Sequence, residues 1–195
     1  MSKRSLLVVL GVLAWVGVGA GEASAFSVTY DQKTTQGREV TQGKVSLKNE
    51  LFRMEMTSHG QAMIILHNAS GTYTVMPSEN MAMKMAQLQP GQGAVRGAAN
   101  YAQYLKQQHA EKIGSETVDG HACDIYKYTD AETNELTTAW VWKEKMFPVK
   151  YEIEGKKSKT VVELSNIKLG AAVSDETFQL PAGVQVMDMG AMMGM

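Results

Sequence analysis

Strict two-residue alternation of apolar and polar side chains restricts what this chain can fold into more than any other feature. In Phe52-Arg53-Met54-Glu55-Met56, apolar and charged residues exchange at every step. Successive side chains on a strand point to opposite faces, so the segment makes a strand with one dry and one wet face; a helix would need its apolar set to return every three or four residues. The same pattern runs through Phe26, Val28 and Tyr30, Val45 and Leu47, Tyr73 and Val75, and Met81, Met83 and Met85. It continues through Trp140 and Trp142 and through Val149, Tyr151 and Ile153. Ala62 to Leu66 is apolar on both faces, which predicts a strand covered from both sides. Ser58-His59-Gly60, Asn68-Ala69-Ser70-Gly71, Asp119-Gly120 and Glu154-Gly155 separate the runs and supply the positive φ that tight hairpins need. The expectation is a mainly β fold with some α, about eleven strands in an antiparallel meander.

One segment has a different period. Ala98, Tyr101, Ala102 and Leu105 recur at helical spacing and predict an amphipathic helix from near Gly97 to His109. Ser174-Asp175-Glu176-Thr177, a capping residue followed by acids, predicts a second short helical turn. A curved sheet with one central helix leaves its apolar face two outcomes. The helix either plugs the concavity or acts as a lid over an apolar pocket.

The N-terminus reads as an export signal. Lys3 and Arg4 precede an apolar run from Leu6 to about Ala20, and Ala23-Ser24-Ala25 stands before Phe26. This predicts cleavage between Ala25 and Phe26, with residues 1–25 outside the fold, a domain over residues 26–186 and a flexible methionine-rich tail over 187–195. A chain of 195 residues less such a signal is enough for one sizeable core. The single cysteine, Cys123, can form no internal disulfide and reads as a small buried apolar residue; its position also predicts no acyl anchor on the mature N-terminus. A formal net charge of −1 with no basic block argues against nucleic acid and stable membrane attachment.

The C-terminal third carries a recognisable order of motifs: Trp140-Val141-Trp142, Phe147-Pro148-Val149-Lys150, Glu163-Leu164-Ser165-Asn166-Ile167, then Val173-Ser174-Asp175-Glu176-Thr177-Phe178-Gln179-Leu180-Pro181-Ala182-Gly183-Val184. With Arg53-Met54-Glu55, the stretch from Tyr73 to Met85 and Gly114 to Asp124, this resembles the periplasmic lipoprotein-carrier superfamily of LolA, LolB and the LppX type, and within it the DUF4412-like branch, a domain of unknown function. The resemblance implies an incomplete, half-opened β-barrel with a helix over its open side, located in the periplasm of a Gram-negative bacterium. It further implies a concave face holding lipid or lipoprotein acyl chains, with partner proteins at the inner and outer membranes. Where the carrier proper lines its cavity with aromatics, this chain offers methionines.

Met81, Met83 and Met85 form a row on one face, and Met54 and Met56 could form a neighbouring one; residues two apart on a strand stand roughly 6.5 to 7 Å from each other. Flexible thioethers suit irregular apolar partners, though an ordinary core would use them too. The candidate pocket lining is Phe52, Met54, Met56, Met63, Ile65, Tyr73, Val75, Met81, Met83, Met85, Tyr101, Leu105, Trp140, Trp142 and Tyr151. Arg53 and Glu55 fall on the opposite face and read as solvated. Thioethers also select Cu(I), and Met187, Met189, Met192, Met193 and Met195 crowd the tail, so copper binding is the alternative; a frayed apolar terminus would look the same. No nucleophile-base pair, phosphate loop or H-E-x-x-H is present, so no catalytic residue and no cofactor is expected. Three readings therefore stand: a lipid carrier or chaperone, a copper-binding protein, and a ligand-free envelope module.

Overall fold

The structure is a computed structural model that describes residues 26–58, 60–85, 99–131, 133–155 and 158–188. The signal segment and most of the methionine tail lie outside them. Six strands come first: β1 (Ser27–Gln36), β2 (Glu39–Lys48), β3 (Leu51–Ser58), β4 (Gln61–Asn68), β5 (Gly71–Met76) and β6 (Met81–Met85). Helix α1 (Tyr101–Gln107) then precedes β7 (Glu111–Val118), β8 (His121–Thr129), β9 (Leu136–Trp142), β10 (Phe147–Glu154) and β11 (Lys159–Leu169), and after a 3-10 turn (Asp175–Phe178) comes β12 (Gln185–Asp188). All twelve strands belong to one sheet, in the order β12-β6-β5-β4-β3-β2-β1-β11-β10-β9-β8-β7. Two antiparallel meanders meet at the β1–β11 ladder, which runs from Val28↔Leu169 to Gln36↔Thr160. β7 and β12 stay at opposite ends, so the sheet is open and does not close into a barrel. The additional strand beyond the expected eleven is accounted for by β12, four exposed residues paired parallel to β6.

The order forces two connections to travel far. β6 and β7 lie near opposite ends of the sheet, and β11 lies at its middle while β12 lies at an edge. Registry shows which face each connection takes. Val28↔Leu47↔Phe52, Tyr30↔Val45↔Met54 and Tyr151↔Val162↔Thr34 place these side chains on one face, and Tyr101, Tyr104 and Leu105 of α1 pack there against Tyr128, Ala139 and Val141. On the other face, Phe178 is 1% exposed among Ile64, Leu66, Tyr73, Val75 and Ala82. α1 therefore sits on one face and the Asp175–Phe178 turn on the other. β4 is apolar on both faces for this reason: Ile65 joins the helix-side core, while Ile64 and Leu66 receive Phe178.

α1 is shorter than the predicted span. Asn100 caps it by accepting from the backbone N–H of Gln103. It closes at a left-handed His109 (φ 50°), with His109 N–H donating to the Lys106 carbonyl and Ala110 N–H to that of Leu105. That paired arrangement satisfies the last carbonyls and stops the helix. Ala98 lies outside the described residues. The short turn expected at Ser174 is present, with the Ser174 hydroxyl accepting from Glu176 N–H.

The C-terminal connection is fastened along its length. Lys48 Nζ is 2.7 Å from Asp175, Arg53 donates to the Thr177 carbonyl and Asn68 to that of Phe178, and Asn80 donates to the Gly183 carbonyl. Arg53 is thus not a solvated bystander: its side chain is held by this connection and by Glu55 at 2.7 Å. Cys123 is fully buried, as its lone occurrence suggested.

Phe178→Ala should cost about 3–5 kcal/mol by deleting a buried aromatic that the rigid sheet beneath cannot replace. Ile113→Ala, at a side chain 55% exposed, should stay within about 0.5 kcal/mol. Urea unfolding of both variants checks the contrast.

Candidate functional site

Registry gathers methionines from five strands onto the helix-side face. Met56 stands opposite Met63, Met76 opposite Met81, and Met83 opposite Met187; Met54 is opposite Ile65, and Met85 faces Thr72. Cross-strand neighbours of this kind have Cβ atoms about 4.5 to 5.5 Å apart, so the thioethers form an apolar surface, with Thr74 beside Met83 and Thr72 and His67 between Met85 and Phe52. Its inner part, Phe52, Met54 and Ile65, is buried in the main core. The outer part, Met56, Met63, Met76, Met81, Met83 and Met85, is half-buried. Gly43, in register with Met56, makes room for this surface: a Cβ there would come within 2.8 Å of Met54 Cε and of the Glu55 carbonyl oxygen.

The candidate lining is divided between the two faces. Phe52, Met54, Met56, Met63, Ile65, Met81, Met83 and Met85 lie together, and Tyr101, Leu105 and Tyr151 lie further along the same face beneath α1. Tyr73 and Val75 lie on the opposite face under Phe178. Trp140 and Trp142 also face away from α1, packing with Cys123 and Val149; Lys150 Nζ sits 4.2 Å from the Trp140 ring centroid, and His121 stacks on Trp142 at 4.1 Å. Between the two tryptophans on β9, the smaller Val141 faces the helix, next to Ala139. Of the tail methionines, Met187 belongs to β12 beside Met83, whereas Met189, Met192, Met193 and Met195 lie outside the described residues.

Beneath α1 the surface changes character from thioether to phenol. Tyr101 and Tyr104 come from the helix, Tyr128 from β8, Tyr151 from β10 and Tyr30 from β1. Tyr101 meets Tyr104 at 5.5 Å and Tyr151 at 6.5 Å between ring centroids, and Tyr104 meets Tyr128 edge-on at 5.9 Å. Tyr104 donates to Asp130 at 3.0 Å. Burial holds the Tyr30 hydroxyl well above the usual phenol range, and for Tyr101 burial is reinforced by the neighbouring Tyr151 and Tyr128. Tyr30, Tyr101, Tyr104 and Tyr151 are all raised by burial and are neutral at physiological pH. The sequence pattern marked Tyr101 and Tyr151 but not Tyr30, Tyr104 or Tyr128; the signal was the i, i+3 spacing of Tyr101 and Tyr104 on a face that must meet the sheet.

Charge near this face is neutralised locally. Asp124, in register with Val141, is 2.8 Å from Lys112 and 3.2 Å from Lys143, and accepts from the Ser115 hydroxyl at 2.7 Å. Among the described residues no three His, Cys, Asp or Glu side chains gather as a metal site would need, and no helix is long and apolar enough to cross a membrane.

The chain belongs to the family described as Domain of unknown function (DUF4412), whose model matches residues 28–145. No curated protein matches. Among solved structures it is similar to an uncharacterized conserved protein from Thermus thermophilus, with TM-score 0.61, 10% identity, and coverage of 83% of this chain and 90% of that one. It is also similar to MucB in the MucA/MucB complex of Pseudomonas aeruginosa, with TM-score 0.54, 14% identity, and coverage of 83% of this chain but 58% of that one. LprF from Mycobacterium bovis aligns with TM-score 0.51 and 14% identity over 80% of this chain and 90% of LprF. At these identities the likeness is one of fold.

Hydrogen bonds from Lys112, then from Ser115 and Lys143, hold the Asp124 carboxyl down to about 2 from its ordinary 3.8. A depressed acid stabilises the fold above its unfolded pKa and loses that effect as pH falls through the folded one. The stability gap between wild type and Asp124→Asn should therefore be full above about pH 4 and close toward pH 2. Denaturant titrations across that range measure it.

Proposed function

We propose that this protein is a periplasmic carrier or chaperone that shields the acyl chains of a lipid or lipoprotein, functioning without catalysis or cofactor after its signal segment is removed. The observation that carries the reading is the half-buried methionine surface on the helix-side face of β3 to β6. Two connections cross the sheet. The C-terminal one fills its own face with Phe178, whereas α1 packs over β8 to β10, and among the described residues no helix covers the methionines of β3 to β6. A flexible apolar wall gains about 25 cal/mol for each Å² of acyl surface it buries, before the costs of association, and accepts chains of differing length. The resemblance to lipoprotein carriers supports the same reading. MucB, solved with MucA, supports a protein partner as donor or recipient.

Copper binding is the second reading, favoured specifically by the cross-strand pairs Met56 with Met63 and Met83 with Met187. Replacing these thioethers with leucine separates the two: leucine keeps the apolar wall and leaves neither pair with two soft ligands.

Native mass spectrometry of the chain isolated from a Gram-negative periplasm should show lipid-mass adducts that survive the set Met56→Leu, Met63→Leu and Met83→Leu. The adducts should be lost in Met56→Glu with Met83→Glu, at half-buried positions where folding is retained. Copper adducts abolished by the leucine set would replace the carrier with the copper reading, and a bare chain would reject both.

A further inference from the structure

Two buried hydroxyls on the helix-side face have no hydrogen-bond partner among the described residues: Tyr30 Oη and Tyr101 Oη. Tyr30 is 2% exposed and Tyr101 is 1% exposed. The phenols of Tyr128 and Tyr151 stand near Tyr101 and raise its pKa, yet its hydroxyl completes no bond of proper geometry with either. A donor left unmade in the interior carries its full desolvation penalty, and native cores make nearly all such bonds, so two on one face call for a partner. They come from different elements, β1 and α1, and share one neighbour. Tyr151, half-buried, packs against both the cluster containing Tyr30 and the cluster containing Tyr101, with its ring 6.5 Å from that of Tyr101. The seam between the helix and the sheet core is therefore lined by phenols, of which Tyr151 is the least buried.

The backbone at Tyr30 is specialised as well. The β1–β11 register slips between Thr29↔Lys168 and Asp31↔Ser165, so Tyr30 faces the extra residues Asn166 and Ile167, with Asn166 left-handed (φ 52°) and donating to Asp31 at 2.7 Å. Such a bulge re-aims the side chains beside it. The same face runs from Tyr30 through Val45 to Met54, so the phenol seam is continuous with the methionine surface.

We infer that the Tyr30 and Tyr101 hydroxyls are the polar anchor of the site, donating to the carbonyl oxygen of an acyl ester or amide whose hydrocarbon chain lies along the methionines. This rests on the acyl-binding reading above and deepens it by naming the ligand's polar group. The chemistry selects a neutral acceptor. Among the described residues no cation is paired with the Tyr30 or Tyr101 hydroxyl, and the nearby Asp130 already accepts from Tyr104. A free carboxylate would be buried without a counter-charge, at a cost two neutral donors do not offset. An ester or amide carbonyl accepts two hydrogen bonds and carries no charge.

The experiment compares three probes of equal chain length, a fatty-acid methyl ester, the free fatty acid at pH 8 and the n-alkane, each by displacement of a fluorescent apolar dye from the whole protein. Wild type should prefer the ester to the carboxylate. Tyr30→Phe and Tyr101→Phe should each weaken the ester roughly fivefold and together roughly twenty-five-fold, leaving the alkane unchanged. Each substitution removes one oxygen from a core residue, and urea unfolding should show stability held or raised, since an unpaired buried group is deleted. If the double variant misfolds, the single variants carry the same comparison. Ester affinity unchanged in the variants, or carboxylate bound as tightly as ester, overturns the anchor while the acyl reading stands. If neither ester nor alkane displaces the dye, the acyl reading itself fails and the anchor with it.

Discussion

The β1–β11 ladder is the joint on which the molecule depends. Each meander is built from hairpins whose strands are neighbours in sequence, and each could pair its own strands without the other. Only β1 with β11, residues 27–36 against 159–169, ties the two into one sheet. The apolar rungs of this joint, Val28, Tyr30, Val162 and Leu164, are among the most buried in the molecule. Closing a loop of such length costs entropy that grows only slowly with length, but none is recovered until the ladder forms. The joint also fixes the faces. Once Val28 and Leu164 share a side, registry carries that assignment outward to Met83 in one direction and to Ala139 in the other.

From this joint follows the division of labour between the faces. The open order leaves β6 and β7 near opposite ends, so the β6–β7 connection and the C-terminal connection must each recross the sheet. Their described elements, α1 and the Asp175–Phe178 turn, pack on opposite sides. The C-terminal one is pinned by Phe178, by Lys48 and Asp175, and by backbone bonds to Arg53, Asn68 and Asn80, which makes its face structural. The helix has a seven-residue body and three buried side chains, and stands on a face whose far half is thioether. Elements held by few buried contacts are those that open at low free energy.

How much of this was legible in the sequence depended on whether a feature was local. Alternation in Phe52 to Met56 revealed a strand and separated Arg53 from Met54 correctly, and Ser174 revealed its own turn. Alternation does not reveal which of two faces is the helix side. That parity passes from strand to strand through registry, and the apolar run Ala62 to Leu66 hides it, so Tyr73 and Val75 were grouped with the methionines although Phe178 covers them. At β9 the large residues misled: Trp140 and Trp142 suggested the pocket side, but a helix approaches a sheet most closely over small residues, and it chose Ala139 and Val141. Val149 shares its parity with Tyr151 in the sequence, yet the bulge between Pro148 and Lys150 turns it to the tryptophan side.

The tyrosines show why a functional reading needs both kinds of information. As sequence, Tyr30 is one more member of an alternating strand and Tyr101 one more apolar position on a helix, and burial of either would complete an ordinary core. Placement adds that neither hydroxyl has a partner among the described residues, although Tyr104, three residues along the same helix, reaches Asp130. A phenylalanine at either position would present the same apolar ring to the neighbours without an unmet donor. A core selected for stability alone has no use for two such oxygens, whereas a surface that must grip a polar atom on an otherwise greasy ligand needs donors that stay neutral and unpaired until the ligand arrives.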